Sequence, residues 1–160
     1  MNICIVHDSV LGNGERLANA MRERLNSAGH TAIVGHERTL TPAHALASSP
    51  ELLIVGSAVR KFSLSPVTKQ WIRALAAELE RSDLRPRAAI FITHALRRSL
   101  TERKADRLQR RLVSVLGEEA VYPEWISARV TGQAGPFVKG AEAEAMTKVD
   151  AIVQWAAGPA

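Results

Sequence analysis

The sequence predicts a doubly wound α/β fold, a three-layer α/β/α sandwich around a five-stranded parallel sheet in the order 2-1-3-4-5. Five short apolar runs alternate with segments of helical periodicity, and helices supply the crossovers that parallel strands require. The clearest runs, 51–56 and 88–93, are apolar without alternation, as in strands covered on both faces. A chain of 160 residues can bury a full core, so we expect residues 1–160 to form one domain.

The first unit of the pattern is a strand, a loop and a helix. An apolar run at 2–7 predicts the strand, and a glycine-containing loop follows at 8–14. Apolar side chains then recur at helical spacing over 17–28. Gly29 is predicted to end this helix, because glycine accepts the left-handed conformation at a helix C-terminus.

The middle of the chain repeats the pattern. A short second strand is predicted at 31–34, and an irregular connection over 35–50 leaves room for a short helical turn. The third strand, 51–56, is followed by a loop. Ser65 then precedes a proline, which predicts an N-cap and a first helical turn, and the helix should stop before Pro86.

The last third contains two further strands and two helices. The fourth strand is predicted at 88–93, and Ser99 with Glu102 forms a capping-box pattern ahead of a helix that ends at Gly117. The remaining elements are a weaker fifth strand within 125–130, a glycine-rich loop at 132–135 and a helix at 141–157.

The topology predicts where a ligand would bind. Ligands of such sheets lie beyond the carboxyl ends of the strands, at the switch point between strands one and three. This rule brings together a first loop at 8–14, a second loop at 57–65 and a third loop at 93–99. The first loop offers backbone amides and the side chains of Ser9 and Asn13 directly before a helix, which suits a phosphate.

The first loop also carries a family resemblance. In its position after the first strand and in the run Gly12-Asn13-Gly14-Glu15, it resembles the FMN-phosphate loop of the flavodoxins. The resemblance implies a flavodoxin-like fold, FMN as cofactor, and electron transfer or flavin-dependent oxidoreduction as function. The residues that it implies around the phosphate are Ser9, Val10, Leu11, Gly12, Asn13 and Gly14. Leu11 and Gly14 stand where flavodoxins carry two further hydroxyl side chains.

The second loop extends the resemblance. The segment Val55–Arg60, followed by Phe62, resembles the strand-three loop of flavodoxin-like proteins that include menaquinone-dependent protoporphyrinogen oxidase. This implies an anionic tetrapyrrole as substrate, a quinone as acceptor, and a role for Arg60 beside negative charge on the substrate or the reduced flavin. Phe62 would lie against one face of the ring. The other residues implied along the flavin are Ser57, Ala58, Val59, Thr93, His94 and Ala95.

Other functional classes fit less well. Leu17 occupies the third glycine position of a dinucleotide-binding fingerprint, and Ser57 stands where a receiver domain needs a phosphate-accepting aspartate. His7, Asp8 and His94 follow no known metal spacing, and no serine elbow supports Ser57 as a nucleophile. One alternative stays open: a flavodoxin-fold protein whose phosphate loop no longer binds FMN and which acts as a binding or regulatory module.

The charge balance favours anionic partners. The chain has 21 Lys and Arg against 16 Asp and Glu, a net charge of +5. A redox partner or a small anionic substrate is the expected partner. A cluster of arginines follows the third loop and is the candidate docking surface for an acidic protein or a membrane surface; without interleaved aromatic residues it suits nucleic acid poorly. The cluster consists of Arg97, Arg98, Arg103, Arg107, Arg110 and Arg111.

The expected compartment is the cytoplasm. Cys4 is the single cysteine and cannot form an intrachain disulfide. No apolar stretch approaches the roughly 20 residues that cross a bilayer, and the first residues lack the basic region of a signal peptide. We therefore expect a soluble protein.

Overall fold

The computed structural model of the chain describes residues 1–60, 63–132 and 134–158, and leaves the side chains of Arg60 and Arg98 undescribed. The strands are β1 Asn2–His7, β2 Thr31–His36, β3 Leu52–Arg60, β4 Ser63–Leu64, β5 Arg87–His94 and β6 Val121–Arg129. The helices are α1 Asn13–Ser27, α2 Pro42–Ala47, α3 Pro66–Leu79, α4 Arg98–Leu116 and α5 Ala141–Ala157. None of the described helices is both long and apolar enough to span a membrane.

The sheet confirms the predicted topology. Its main path runs β2-β1-β3-β5-β6 with every neighbouring pair parallel, which is the order 2-1-3-4-5 once the two-residue β4 is set aside. β1 pairs with β2 on one side and with β3 on the other. The strand order therefore reverses at β1: the chain adds β2 on one side of it and all later strands of the main path on the other. The switch point therefore lies beyond the carboxyl end of β1.

Two apolar layers hold the helices on the sheet. α1 and α5 cover one face, against strand residues such as Ile5, Ile54 and Phe91, and α2, α3 and α4 cover the other, against residues such as Val55 and Ile90. Neighbouring strand positions point to opposite faces. Both faces of the central strands are buried, which explains their unbroken apolar sequence.

Cys4 belongs to the second of these layers and is fully buried. Burial raises the pKa of its thiol to about 12, because the apolar core disfavours the thiolate. Cys4 is therefore a packing residue, inert as a nucleophile or redox group.

Several helix boundaries agree with the sequence. Ser65 caps α3, its Oγ accepting a hydrogen bond from the backbone N–H of Val67 at 3.2 Å, and Pro66 is the first helical residue. α5 spans the predicted residues, and the short helix α2 lies within the connection that was expected to be irregular. Gly29 and Gly117 both have positive φ at the ends of their helices.

Three local predictions are wrong. β3 continues through residues 57–60, which were assigned to the second loop, because this segment pairs with β5 and forms an antiparallel ladder with β4. Ser99 is not an N-cap: α4 begins at Arg98, and its N-cap is Arg97, which makes no side-chain capping bond. β6 begins at Val121 rather than at 125, since Val121 already pairs with Ala88.

Candidate functional site

A cavity of about 480 Å³ opens at the carboxyl edge of the sheet, above β1, β3, β5 and β6. Its volume lies within the roughly 300–1,000 Å³ typical of ligand pockets. Apolar side chains make up most of its wall. The lining residues are Ser9, Val10, Leu11, Asn13, Gly14, Ala58, Val59, Thr93, His94, Ala95, Leu96, Val130 and Gly132. Most of the residues predicted from the three loops therefore meet at one cavity.

The first loop brings the N-terminus of α1 to the cavity. Gly12 is the N-cap and has φ 84°, a left-handed conformation that glycine adopts without strain. Because it has no side chain, the first turn of α1 receives no side-chain cap among the described residues. Asn13 and Gly14, the first two residues of the helix, line the cavity. The start of a helix thus borders a space open to a ligand, and helix N-termini are common binding sites for anions.

The side chain of Ser9 packs beside Gly14. A Cβ placed on Gly14 would lie 3.3 Å from the Cβ of Ser9 and 3.5 Å from its Oγ. The first distance is tighter than ordinary van der Waals contact, so a side chain at position 14 would require Ser9 to shift by a few tenths of an ångström. Gly14 therefore leaves room for Ser9, which lines the cavity.

Two buried side chains fix the shape of the first loop. Nδ1 of His7 accepts a hydrogen bond from the backbone N–H of Ser9 at 3.2 Å. Oδ1 of Asp8 accepts one from the backbone N–H of Ala58 at 2.9 Å and so ties the loop to β3. His7 and Asp8 are both almost completely buried, and the two bonds hold the backbone on both sides of the switch point.

The pKa of His7 is lowered. Burial is the main cause and the neighbouring His36, whose ring lies edge-on at 5.4 Å between centroids, adds to it, while Glu15 and Asp8 oppose the shift. A neutral imidazole is also what the contact with Ser9 requires, since Nδ1 must be unprotonated to accept a hydrogen bond. The fold therefore stabilises the form of His7 that holds the loop.

Arg16 connects the first loop to the segment after β6. Its guanidinium donates to Oδ1 of Asn13 at 3.4 Å and to the backbone carbonyl of Gly135 at 3.5 Å, and it lies 4.8 Å from the ring centroid of Phe137. These contacts link the first loop to residues that follow β6. Arg16 could not be selected from the sequence, because Gly135 is 119 residues away along the chain.

The end of β3 places its residues on opposite faces. Ala58 and Val59 line the cavity. Ser57 does not: its side chain is buried, and its Oγ accepts a hydrogen bond from Oγ1 of Thr68 on α3 at 3.3 Å. Ser57 and Ala58 are neighbouring positions of the extended strand, so their side chains point to opposite faces of the sheet. Phe62 lies outside the described residues and only the backbone of Arg60 is described, so both assignments stay predictions.

The third loop supplies Thr93, His94, Ala95 and Leu96. His94 is buried, and both ring nitrogens are engaged: Nδ1 lies 2.9 Å from the carbonyl oxygen of Leu96 and Nε2 2.9 Å from Oγ of Ser127. A carbonyl can only accept, so Nδ1 carries a proton and donates it. His94 therefore positions the third loop.

Three lining residues were not among the residues predicted for the site, and two predicted residues, Ser57 and Gly12, do not line the cavity. Leu96 lies within the predicted third loop, and Val130 and Gly132 follow the end of β6, beyond the three loops considered. The predicted sheet order could have indicated Val130 and Gly132, because it places the fifth strand beside the fourth and so brings the carboxyl end of the fifth strand to the same edge. Gly12 shapes the loop but does not line the cavity.

Metal and nucleophile chemistry have no support at this edge. Among the described residues, no three His, Cys, Asp or Glu side chains gather so that they could hold a metal ion. The hydroxyl of Ser57 faces Thr68, and Nε2 of His94 faces Ser127. Ser57 and His94 are therefore not arranged as a nucleophile and its base.

The arrangement suits a ligand that has an anionic group and a flat apolar body. Helix-start amides and the hydroxyl of Ser9 are available to the anion. Aliphatic side chains, among them Val10, Val59 and Val130, provide the apolar wall, and apolar area removed from water contributes roughly 25 cal/mol per Å². FMN has both parts, and the described residues fit it, with aliphatic rather than aromatic groups along the described part of the cavity.

Comparison with solved structures identifies the fold. A flavodoxin from the domain Archaea superposes with a TM-score of 0.75 at 14% identity, over 99% of this chain and 100% of that one. Oxidised flavodoxin 2 from Bacillus cereus gives 0.73 at 18% identity, over 96% and 99%. The rubredoxin oxygen:oxidoreductase of Desulfovibrio gigas superposes with a TM-score of 0.68 at 14% identity. That alignment covers 98% of this chain but only 37% of the longer protein.

No protein-family model and no curated protein sequence matches the chain. The structural likeness is nevertheless extensive, and the predicted sheet order and helix placement agree with it. The chain has the flavodoxin fold.

Proposed function

We propose that this protein binds FMN in the cavity at the carboxyl edge of its sheet and works as a flavodoxin-like electron-transfer protein or FMN-dependent oxidoreductase. The observation that carries the proposal is the convergence of the uncapped start of α1 with an apolar cavity of about 480 Å³ above β1, β3 and β5. FMN, when bound, supplies the redox chemistry, and the chain supplies position and electrostatics.

The first loop would hold the phosphate. Asn13 and Gly14 present the first-turn backbone of α1, and Ser9 adds a hydroxyl. A hydrogen bond to a charged group contributes about 1.5–3 kcal/mol, so the amides of a fixed loop can replace the two hydroxyls that Leu11 and Gly14 do not offer. The net charge of +5 favours a phosphate dianion further.

The second and third loops would enclose the ring. The side chains of Ala58 and Val59 lie on one wall and Thr93 to Leu96 on another. Arg60 and Phe62 keep the roles that the family resemblance implies, beside negative charge and against one ring face. An anionic tetrapyrrole remains the substrate that this resemblance suggests.

The first experiment is a titration of the purified protein with FMN, followed by quenching of FMN fluorescence, after its visible spectrum has been recorded. We expect flavin absorption bands or saturable quenching in the micromolar range or tighter. Riboflavin, which lacks the phosphate, should bind at least about tenfold more weakly, equivalent to about 1.4 kcal/mol. Equal affinity for FMN and riboflavin would remove the proposed phosphate site.

Two matched variants locate the binding site. Ala58→Leu adds three carbons to a half-buried alanine that lines the cavity, and should weaken FMN binding about tenfold or more. Ala76→Leu makes the same change at a half-buried alanine on α3, away from the cavity, and should leave the affinity within about twofold. If both variants bind like the parent, the ligand lies elsewhere.

The competing function is a cofactor-free binding or regulatory module built on the same fold. The two hydroxyl positions occupied by Leu11 and Gly14 favour it. A colourless protein that leaves FMN and riboflavin fluorescent at high concentration would establish this alternative over the redox function.

A further inference from the structure

One segment accounts for the net positive charge of the chain. Residues 97–116, the N-cap of α4 and the helix itself, contain seven Lys and Arg side chains against two Asp and Glu. Their net charge of +5 equals the net charge of the whole protein. The other 140 residues contain 14 Lys and Arg and 14 Asp and Glu, so residues 97–116 account for the net charge of the chain.

Four of these side chains are exposed on α4, and we call them the α4 arginine face: Arg103, Arg107, Arg110 and Arg111. They stand opposite Ala105, Leu108 and Leu112, which are fully buried against the sheet. Within the part of the chain that the structure describes, none of the four arginines pairs with a carboxylate. Their charge is not used inside the protein.

The α4 arginine face begins beside the cavity. α4 follows directly on the third loop, whose Leu96 lines the cavity. At 1.5 Å of rise per residue, Arg103 lies only about 8 Å along the axis from the first helical residue. Leu100 on the first turn is 54% exposed, and Val10 and Leu11 on the first loop are 67% and 46% exposed. Exposed apolar side chains at the cavity are thus accompanied by a row of free positive charges.

We propose that the α4 arginine face, with the exposed apolar residues near the cavity, docks an acidic surface of a partner protein. An apolar centre with a charged rim is the usual anatomy of a protein interface, and arginine is enriched at the residues that contribute most to binding. All four residues are arginine, whose planar guanidinium binds carboxylates in a bidentate manner. That the docked partner exchanges electrons through the cavity rests on the proposed function; the docking itself does not.

Other anionic surfaces fit less well. A membrane-bound helix inserts an apolar face, whereas the apolar face of α4 is occupied by the core. Single-stranded nucleic acid would require aromatic side chains between the positive charges, and α4 has none. We therefore favour the carboxylates of an acidic protein surface as the groups that pair with these arginines.

The test compares three anionic probes by titration calorimetry: a polyglutamate peptide of about 20 residues, vesicles containing phosphatidylserine, and a short DNA duplex. We expect polyglutamate to bind most tightly, and its affinity to fall at least about tenfold as salt rises from about 50 to about 500 mM, because screening shortens the range of the charges. Tighter binding of vesicles or DNA would overturn the proposal in favour of that class of partner.

A matched pair of variants assigns the surface. The fourfold variant Arg103→Gln, Arg107→Gln, Arg110→Gln and Arg111→Gln should lose at least about tenfold in polyglutamate affinity. The control removes the same number of charges from exposed residues elsewhere, through Arg38→Gln, Arg73→Gln, Arg81→Gln and Lys139→Gln, and should lose less than about threefold. Equal losses in both variants would show a nonspecific charge effect and refute the α4 site.

FMN affinity of the same two variants separates this inference from the proposed function. Both should bind FMN as the parent does if the cavity holds it. Polyglutamate binding without any FMN binding would leave the docking surface in place and remove the redox function. FMN binding with no salt-dependent polyglutamate binding would support the redox function and refute the docking surface.

Discussion

Gly56→Ala should destabilise the protein strongly, although it adds a single methyl group. A Cβ on Gly56 would lie 2.0 Å from Cζ, 2.2 Å from Cε1 and 2.6 Å from Cε2 of Phe91, its parallel partner on β5. Carbon atoms pack at about 3.5–4.0 Å, so the ring would have to withdraw by about 1.5 Å. Phe91 is only 1% exposed and is enclosed by α1 and α5, which leaves the ring no space to move.

Overpacking of this kind costs typically about 1–3 kcal/mol, and so severe an overlap places Gly56→Ala near the upper end. For a domain of this size, about 3 kcal/mol lowers Tm by about 6–12 °C. Urea unfolding should show a lower midpoint with an unchanged m-value. Gly132→Ala is the control, since a Cβ there meets nothing within 4 Å, and should change stability by less than about 0.5 kcal/mol.

A double-mutant cycle with Phe91→Leu tests the cause. If the ring is the obstacle, Gly56→Ala should cost less than about 1 kcal/mol in the Phe91→Leu background, giving an interaction energy of about 2 kcal/mol. Strictly additive costs would refute the steric explanation and point to a backbone effect at Gly56 instead.

Three further predictions concern polar contacts. Ser65→Ala removes the side-chain cap of α3 and should cost about 1 kcal/mol in urea unfolding, whereas Ser99→Ala, at an exposed residue that caps nothing, should stay within about 0.5 kcal/mol. The pKa of His7 is lowered in the folded state, so the unfolded chain binds more protons at acid pH. The free energy of unfolding should therefore decline as pH falls below about 6.5. In the His7→Asn variant, which retains an acceptor oxygen, this part of the pH dependence should vanish. Ser127→Ala deprives Nε2 of His94 of its partner and should cost about 1 kcal/mol, with an unchanged urea midpoint arguing against the positioning role of His94.

The sequence predicted the fold from features that the backbone itself enforces. Unbroken apolar runs such as 51–56 occur where both faces of a strand are buried, and Ser65 before a proline specifies a helix start. The extension of β3 was missed because small and polar residues at 57–60 resemble a loop. Only the ladder with β4 and β5, a tertiary interaction, turns that segment into a strand.

The sequence predicted which loops surround the cavity, but not every residue that lines it. The switch-point rule located the cavity, but it treated Ser57 and Ala58 alike, whereas the alternation of an extended β3 sends one side chain to α3 and the other to the cavity. Arg16 and Val130 escaped prediction because their roles depend on contacts between distant segments. Such contacts leave no local pattern in a single sequence.

The anchoring of the first loop bears on whether its missing hydroxyls matter. Asp8 bonds to Ala58, Arg16 bridges Asn13 to Gly135, and His7 holds the backbone of Ser9. Each contact fixes the loop before any ligand arrives, so the entropic cost of ordering it is met on folding rather than on binding. A preorganised set of amides can then attract a phosphate without additional side chains. The number of hydroxyls in such a loop is therefore a weaker criterion for cofactor binding than the bonds that hold its backbone in place.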